Sequence, residues 1–197
     1  MSTGRDHLDI PVIGVLEFSS IAVGIKAMDE MVKAAPIRIL FAKTVCPGKF
    51  VIVFSGDVAS VDVSLTRGKI WGEGYLIDEL FIPNLHEQVI PAINKIVYCT
   101  SWDAVGIIES FSVVGSIESG DIAAKTADIS ITEIRLATGL GGKSYVKIMG
   151  NIHEVEAAME AGARYIKQKG LLCKDVIIAQ PHPDIRAFFY NETGALE

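Results

Sequence analysis

The sequence predicts an α+β protein built from two tandem ferredoxin-like β-α-β-β-α-β domains, over residues 10–96 and 103–190. Three observations predict it. The chain is written twice, since Ile13-Gly-Val-Leu-Glu17 returns as Val105-Gly-Ile-Ile-Glu109 and Gly106 stands 92 positions after Gly14. Each copy repeats the same order of β-type runs and helical stripes. Each also places a Gly-Lys pair, Gly48-Lys49 or Gly142-Lys143, between its second and third β-type runs.

The elements follow in parallel. Ile10 to Phe18 and Val105 to Phe111 are rich in Val and Ile and end at Ser, an N-cap residue, so each is read as a strand leading into a helix. In the first helix Ile21, Ile25, Met28 and Val32 recur at the spacing of one buried stripe; Val113, Ile117, Ala124 and Ala127 form a lighter stripe in the second copy. Asp29 to Lys33 matches Asp121 to Lys125 at the same offset. Ile37 to Val45 with Phe50 to Phe54, and Ile129 to Ala137 with Tyr145 to Met149, are read as hairpins around the Gly-Lys loops. Second helices begin at Asp57, with Val58, Val61 and Leu65 inward, and at Asn151. There Glu154 suggests a capping box, with Ile152, Val155, Met159 and Ile166 as the stripe and Gly170 as C-cap. Glu79 to Pro83 and Asp175 to Gln180 close the units. The drift from Gly14/Gly106 to His86/His182 places insertions in loops, where they are tolerated.

Composition narrows the function classes. Half of the 197 residues are hydrophobic, sufficient for real cores, and a net charge of -6 without long blocks leaves no footprint for nucleic acid or an anionic membrane. No apolar run reaches the roughly 18–20 residues of a membrane helix, and the polar opening MSTGRDHLD does not read as a signal peptide, so a cytoplasmic location is expected. Cys46, Cys99 and Cys173 are isolated, which fits a reducing compartment and argues against a disulfide framework or a one-chain zinc site.

Ala137 to Ser144 approximates a P-loop, yet Ala137 stands where the first Gly belongs and the following Tyr145 to Met149 is a strand rather than a helix. The equivalent loop, Thr44 to Lys49, has no such pattern. The shared requirement is a tight turn, not a phosphate cradle. Glu17 and Glu109 recur at strand ends, but no nucleophile with its base and no converging carboxylate pair accompanies them, so no enzyme activity is expected. His86 and His182 are read as capping or surface residues.

The ordered set, an Ile/Val-Gly start ending in Glu, Asp-x-x-x-Lys, a Gly-rich loop, Gly56-Asp57-Val58 or Gly150-Asn151-Ile152, and a late His, resembles tandem-domain bacterial microcompartment shell proteins over about residues 10–190. The resemblance implies a homotrimer that imitates a hexamer, assembles with other shell proteins in a microcompartment shell, and passes small polar or anionic metabolites through a central pore. By position the pore lining falls on Cys46, Pro47, Gly48 and Lys49, and on Thr138, Gly139, Leu140, Gly141, Gly142 and Lys143. It places inter-tile edge lysines at Lys33 and Lys125; Asn84 and Gln180 depart from the family, which usually has Arg there. No metal or cofactor is expected. One alternative is an iron–sulfur cluster held in the pore by Cys46 thiolates of three copies, and another is a trimeric ferredoxin-like regulator that binds a small molecule.

Overall fold

A computed structural model describes residues 12–190. Positions 10 and 11 of the expected first strand lie outside the described residues. The first unit runs β1 (Ile13–Phe18), α1 (Ile21–Ala34), β2 (Arg38–Val45), β3 (Lys49–Ser55), α2 (Val58–Trp71) and β4 (Leu76–Ile82), followed by the short helix α3 (Val89–Asn94). The second runs β5 (Ala104–Ser110), α4 (Val113–Thr126), β6 (Ser130–Arg135), β7 (Ser144–Gly150), α5 (Ile152–Gln168) and β8 (Leu172–Ala179), then a 3₁₀ turn (Pro183–Ile185) and α6 (Arg186–Phe189). The sheets are ordered β2-β3-β1-β4 and β6-β7-β5-β8, with every neighbouring pair antiparallel. The predicted α+β class with two copies of one unit is what the chain adopts.

Local chemistry explains the helix starts. Ser20 and Ser112 accept from the amides of Val23 and Gly115, and Asp57 accepts from Ser60, so each satisfies a donor that the first turn leaves free. Hydrogen bonds from Ser60 also hold the Asp57 carboxyl below the usual range. The capping box expected at Asn151 is absent. Glu154 instead accepts from the Asp128 amide, and Asp103 accepts from the Ile152 amide, so two loops tie down the start of α5 in its place. Gly170, at φ 71°, ends α5 as expected, with the Leu171 amide returning to the Ile166 carbonyl.

The recurrent Gly14 and Gly106 have one physical reason. A Cβ on Gly14 would lie 2.3 Å from the Phe54 ring, and one on Gly106 would lie 2.6 Å from the Met159 sulfur. Only a bare backbone leaves room for the Phe54 ring and the Met159 side chain against these strands.

Packing shows how the two units meet. The inner face of the first sheet, carrying Leu16, Phe18, Ile52 and Phe54, packs on Ala27 and Met31 of α1 and Val61 and Leu65 of α2. Its outer face carries Ile13, Val15, Val51, Val53, Leu80 and Ile82, and these join one continuous core with Val113, Val114 and Ile117 of α4. Helix α4 of the second unit thus packs on the outer face of the first unit's sheet.

One sequence expectation fails here. The stripe Ile21, Ile25, Val32 is 37%, 50% and 45% exposed, and α1 buries Gly24, Ala27 and Met31 instead, with Met28 only partly buried. A helix that must approach a sheet closely turns its small residues inward, and the bulkier stripe is left outside. Val58 of α2 is also exposed, while Val61 and Leu65 are buried as expected.

Candidate functional site

The two Gly-Lys loops lie side by side. In the β2–β3 turn Gly48 takes φ 75°, and in the β6–β7 loop Gly139, Gly141 and Gly142 take φ 73°, 62° and 92°, values that favour glycine. The Cys46 amide donates to the Ala137 carbonyl at 3.0 Å, and a Cβ on Gly142 would lie 3.0 Å from Pro47. One end of the molecule therefore presents both loops together. The second loop feeds β7 rather than a helix, so a phosphate cradle of the P-loop kind has no helix N-terminus to work with.

The loop lysines do not act as free charges. Lys49 pairs with Glu17 at 2.9 Å, and Lys143 lies 3.5 Å from Glu109, the repeat equivalent of Glu17. The recurrence of Glu with Gly-Lys is explained by this ion pair, formed where the end of one strand meets the start of its neighbour. Each of these positive charges therefore already faces a carboxylate. The two pairs differ in burial. Glu17 is fully buried and its second oxygen has no hydrogen-bond partner, whereas Glu109 is 35% exposed.

Two further cations near the loops, Lys43 and Arg135, were missed by sequence reading. Lys43 makes no ion pair among the described residues and lies over the Phe41 ring at 5.2 Å. Burial, and then the nearby Arg135 charge, hold its ammonium below the usual lysine range. Arg135 stands 92 positions after Lys43, so the two are repeat equivalents. That signal was present in the sequence, but only the fold brings them together.

The predicted edge lysines occupy matched settings. Lys125 pairs with Asp121 at 2.6 Å, and the other Asp121 oxygen accepts from the His86 amide, across the seam between the units. Lys33 pairs with Asp29 at 2.5 Å on the exposed α1. Gln88 adds to the seam by bridging the edge of β6, donating to the Ile129 carbonyl at 2.9 Å and accepting from the Ile131 amide at 2.7 Å. Ser112 donates to Asp78 at 2.8 Å beside it. His182 caps the 3₁₀ turn by accepting from the Asp184 amide, as its sequence position suggested.

Cys46, Cys99 and Cys173 are all free and half-buried, and no three His, Cys, Asp or Glu side chains converge as metal ligands among the described residues. A surface cleft of about 540 Å³ between the inter-unit linker and α6 is flanked by Arg186, whose guanidinium is already bonded to the Cys99 carbonyl. No helix among the described residues is long and apolar enough to cross a membrane.

Comparison with known proteins converges on one family. The BMC domain profile matches twice, over residues 12–85 and 104–181. The chain is 37% identical over 170 residues to the bacterial microcompartment shell protein PduT of Citrobacter freundii, covering 86% of this chain and 92% of that protein. It is 29% identical over 87 residues to the shell protein EutM of Salmonella typhimurium, covering 44% of this chain and 88% of that one. A crystal structure of a microcompartment protein from Desulfitobacterium hafniense superposes with a TM-score of 0.81 at 41% identity, covering 90% of this chain and 98% of that one. A fused permuted hexameric shell protein from the RMM microcompartment shares the fold, with a TM-score of 0.61 at 14% identity over 79% of this chain and 81% of that one. The chain belongs to the BMC-domain family and is a bacterial microcompartment shell protein of the PduT type.

Proposed function

We propose that three copies of this shell protein close into a ring of six BMC units, with the paired loops around its axis. The observation that carries this reading is an unmatched joint. Within one chain, the outer sheet face of the first unit buries Val113 and Ile117 completely and Ala124 to 9% exposure. Their equivalents on α1 are Ile21, Ile25 and Val32, all exposed. The sheet side of the joint is unmatched as well, since Leu80 is 6% exposed and its counterpart Val176 is 42% exposed. Each chain thus displays the helix half of the joint at one end and the sheet half at the other. Such a heterologous contact repeats head to tail and closes when its rotation allows. Fully burying an aliphatic side chain contributes about 1.5–3 kcal/mol, and covering the remaining exposed half of each of these contributes roughly 1 kcal/mol, so several together supply a driving force.

In the ring, Cys46 to Lys49 alternates with Thr138 to Lys143 about the axis, three loops of each kind. Their glycine amides form the polar rim of a passage for small polar or anionic metabolites. Lys33 and Lys125 serve the edge where one trimer meets another shell tile. The role is structural and selective, not enzymatic, within a shell in the cytoplasm. Light scattering tests the ring directly. A mass of about 64 kDa, three times the 21.2 kDa chain, is expected at low concentration, and a stable monomer or dimer refutes it.

No resident cofactor is required by this reading. One chain brings a single Cys46 thiol to the loops, so three copies supply three of the four thiolates that a four-iron cluster ordinarily takes. Anaerobically purified protein is expected to be colourless and iron-free. A brown protein whose charge-transfer absorbance disappears in Cys46→Ala overturns that expectation.

A further inference from the structure

A cleft of about 360 Å³ lies in the seam between the two units, lined by Lys43 of β2, Lys95 just after α3, Glu133 and Arg135 of β6, and Thr138 at the start of the second loop. We propose that this cleft is a binding site for a dianionic oxyanion of the phosphate type. It borders the second loop at Thr138 but does not include the loop lysines Lys49 and Lys143, both of which are already matched by glutamates.

The charges in the cleft do not cancel. Glu133, the one carboxylate there, is buried and engaged from the other side: Lys147 pairs with it at 2.6 Å and the Tyr145 hydroxyl donates to it at 3.0 Å. Arg135 stands off at 3.6 Å, beyond hydrogen-bond reach of that carboxylate. Glu133 and Lys147 therefore neutralise one another. Lys43, Lys95 and Arg135 remain, and neither lysine has an ion-pair partner among the described residues. Three cations around one concave space favour a ligand carrying more than one negative charge, and a guanidinium beside an ammonium suits oxygens arranged around a phosphorus atom.

The setting is built and not a chance surface cluster. Lys43 is half-buried, is held below the ordinary lysine range by burial and by Arg135, and comes from a strand whose neighbours fix its direction. Lys43 and Arg135 repel one another across a packed domain seam, and the one carboxylate beside them, Glu133, is already held by Lys147. An anion between them relieves the repulsion, and binding energy follows from that relief. Lys43 and Arg135 are also repeat equivalents, so the basic character of this position is written into both units.

The test uses the full-length protein in dilute solution, with inorganic phosphate as probe and acetate as the monoanionic comparison, followed by calorimetry and by NMR of labelled lysine side chains. Phosphate is expected to bind saturably, at least about tenfold more tightly than acetate, and to move the Lys43 titration upward. Lys43→Gln and Arg135→Gln are each expected to lose at least about tenfold in phosphate affinity, Lys43→Arg to retain it, and Lys143→Gln to leave it unchanged. All three sites are at least partly exposed, so the four variants are expected to fold, which circular dichroism on the same samples checks. Absence of saturable binding, equal binding of acetate, or unchanged affinity in both glutamine variants overturns the proposal. The mass of each sample separates this outcome from that of the ring: a trimer without phosphate binding refutes only the site, and a monomer that binds phosphate refutes only the ring.

Discussion

Helices α1 and α4 carry the same pattern at equivalent positions and meet opposite fates. On α4 the face with Val113 and Ile117 is buried by the first unit's sheet; on α1 the face with Ile21 and Ile25 is open. The difference is one of connectivity and not of sequence, because the chain supplies α4 with a neighbour and leaves α1 without one. Stability and assembly should therefore separate at matched residues. Ile117→Asp places an unpaired carboxylate in a continuous core, and a loss of about 4 kcal/mol or more is expected, enough to abolish cooperative thermal unfolding. Ile25→Asp lies on the half-exposed face, and the chain is expected to fold normally, with a shift under about 0.5 kcal/mol, while light scattering reports monomers. If Ile25→Asp remains trimeric, the comparison between the helices loses its functional meaning.

The ion pairs at the bases of the two loops sharpen the same comparison. Lys49 faces a fully buried Glu17, so Lys49→Ala strands a buried charge, and a cost of about 3–5 kcal/mol is expected by chemical denaturation. Lys143 and Glu109 are 43% and 35% exposed and 3.5 Å apart, so Lys143→Ala is expected to cost under about 1 kcal/mol. Equal costs would show that the second pair is buried in solution, as closure of a ring around it would require.

Element order and strand pairing were legible because period-2 and helical patterns, N-cap residues and turn glycines all agree within each copy. What the sequence concealed was the direction in which faces look. Hydrophobic spacing on α1 marks Ile21, Ile25 and Val32 as a stripe, but spacing cannot tell a core from an interface, and the small Gly24 and Ala27 that face the sheet carry little hydrophobic signal. The loop positions were legible as Gly-Lys pairs. That Lys49 and Lys143 turn to Glu17 and Glu109 was not, since it depends on strand register across 32 and 34 residues. Lys43 and Arg135 went unnoticed because a lone cation in a strand is ordinary until a second unit presses another against it.

The loops themselves differ in length and in glycine content, and backbone strain offers a graded measure of that difference. Gly139 and Gly141 have positive φ with open space around the missing Cβ, so alanine at either is expected to cost about 1–2 kcal/mol from backbone conformation alone. Gly142→Ala adds a close contact with Pro47 of the first loop, and a larger cost is expected. Thermal unfolding of the three variants ranks them, and a Gly142→Ala loss no greater than that of Gly139→Ala would show that the two loops do not lean on one another in solution.

The smallest expected effect on the fold belongs to Lys33 and Lys125, and there the comparison between helices is turned outward. Both lysines sit near the C-terminal ends of equivalent helices and pair with an Asp one turn earlier, yet Lys125 pairs with a buried Asp121 at the seam, whereas Asp29 is exposed. If each holds its Asp ready for a backbone amide from the adjoining unit, as Asp121 does for His86, Lys125→Ala should loosen the chain's own seam and Lys33→Ala the joint between copies. If instead the pair serves the edge between tiles, the double variant should unfold and sediment as wild type and fail only to form extended sheets. Analytical ultracentrifugation reads the first outcome and electron microscopy of concentrated protein reads the second. An exposed lysine contributes little to folding, so a trimer of normal stability that no longer tiles is the expected result. A double variant that still tiles removes the edge role from both residues and leaves them as partners of Asp29 and Asp121 alone.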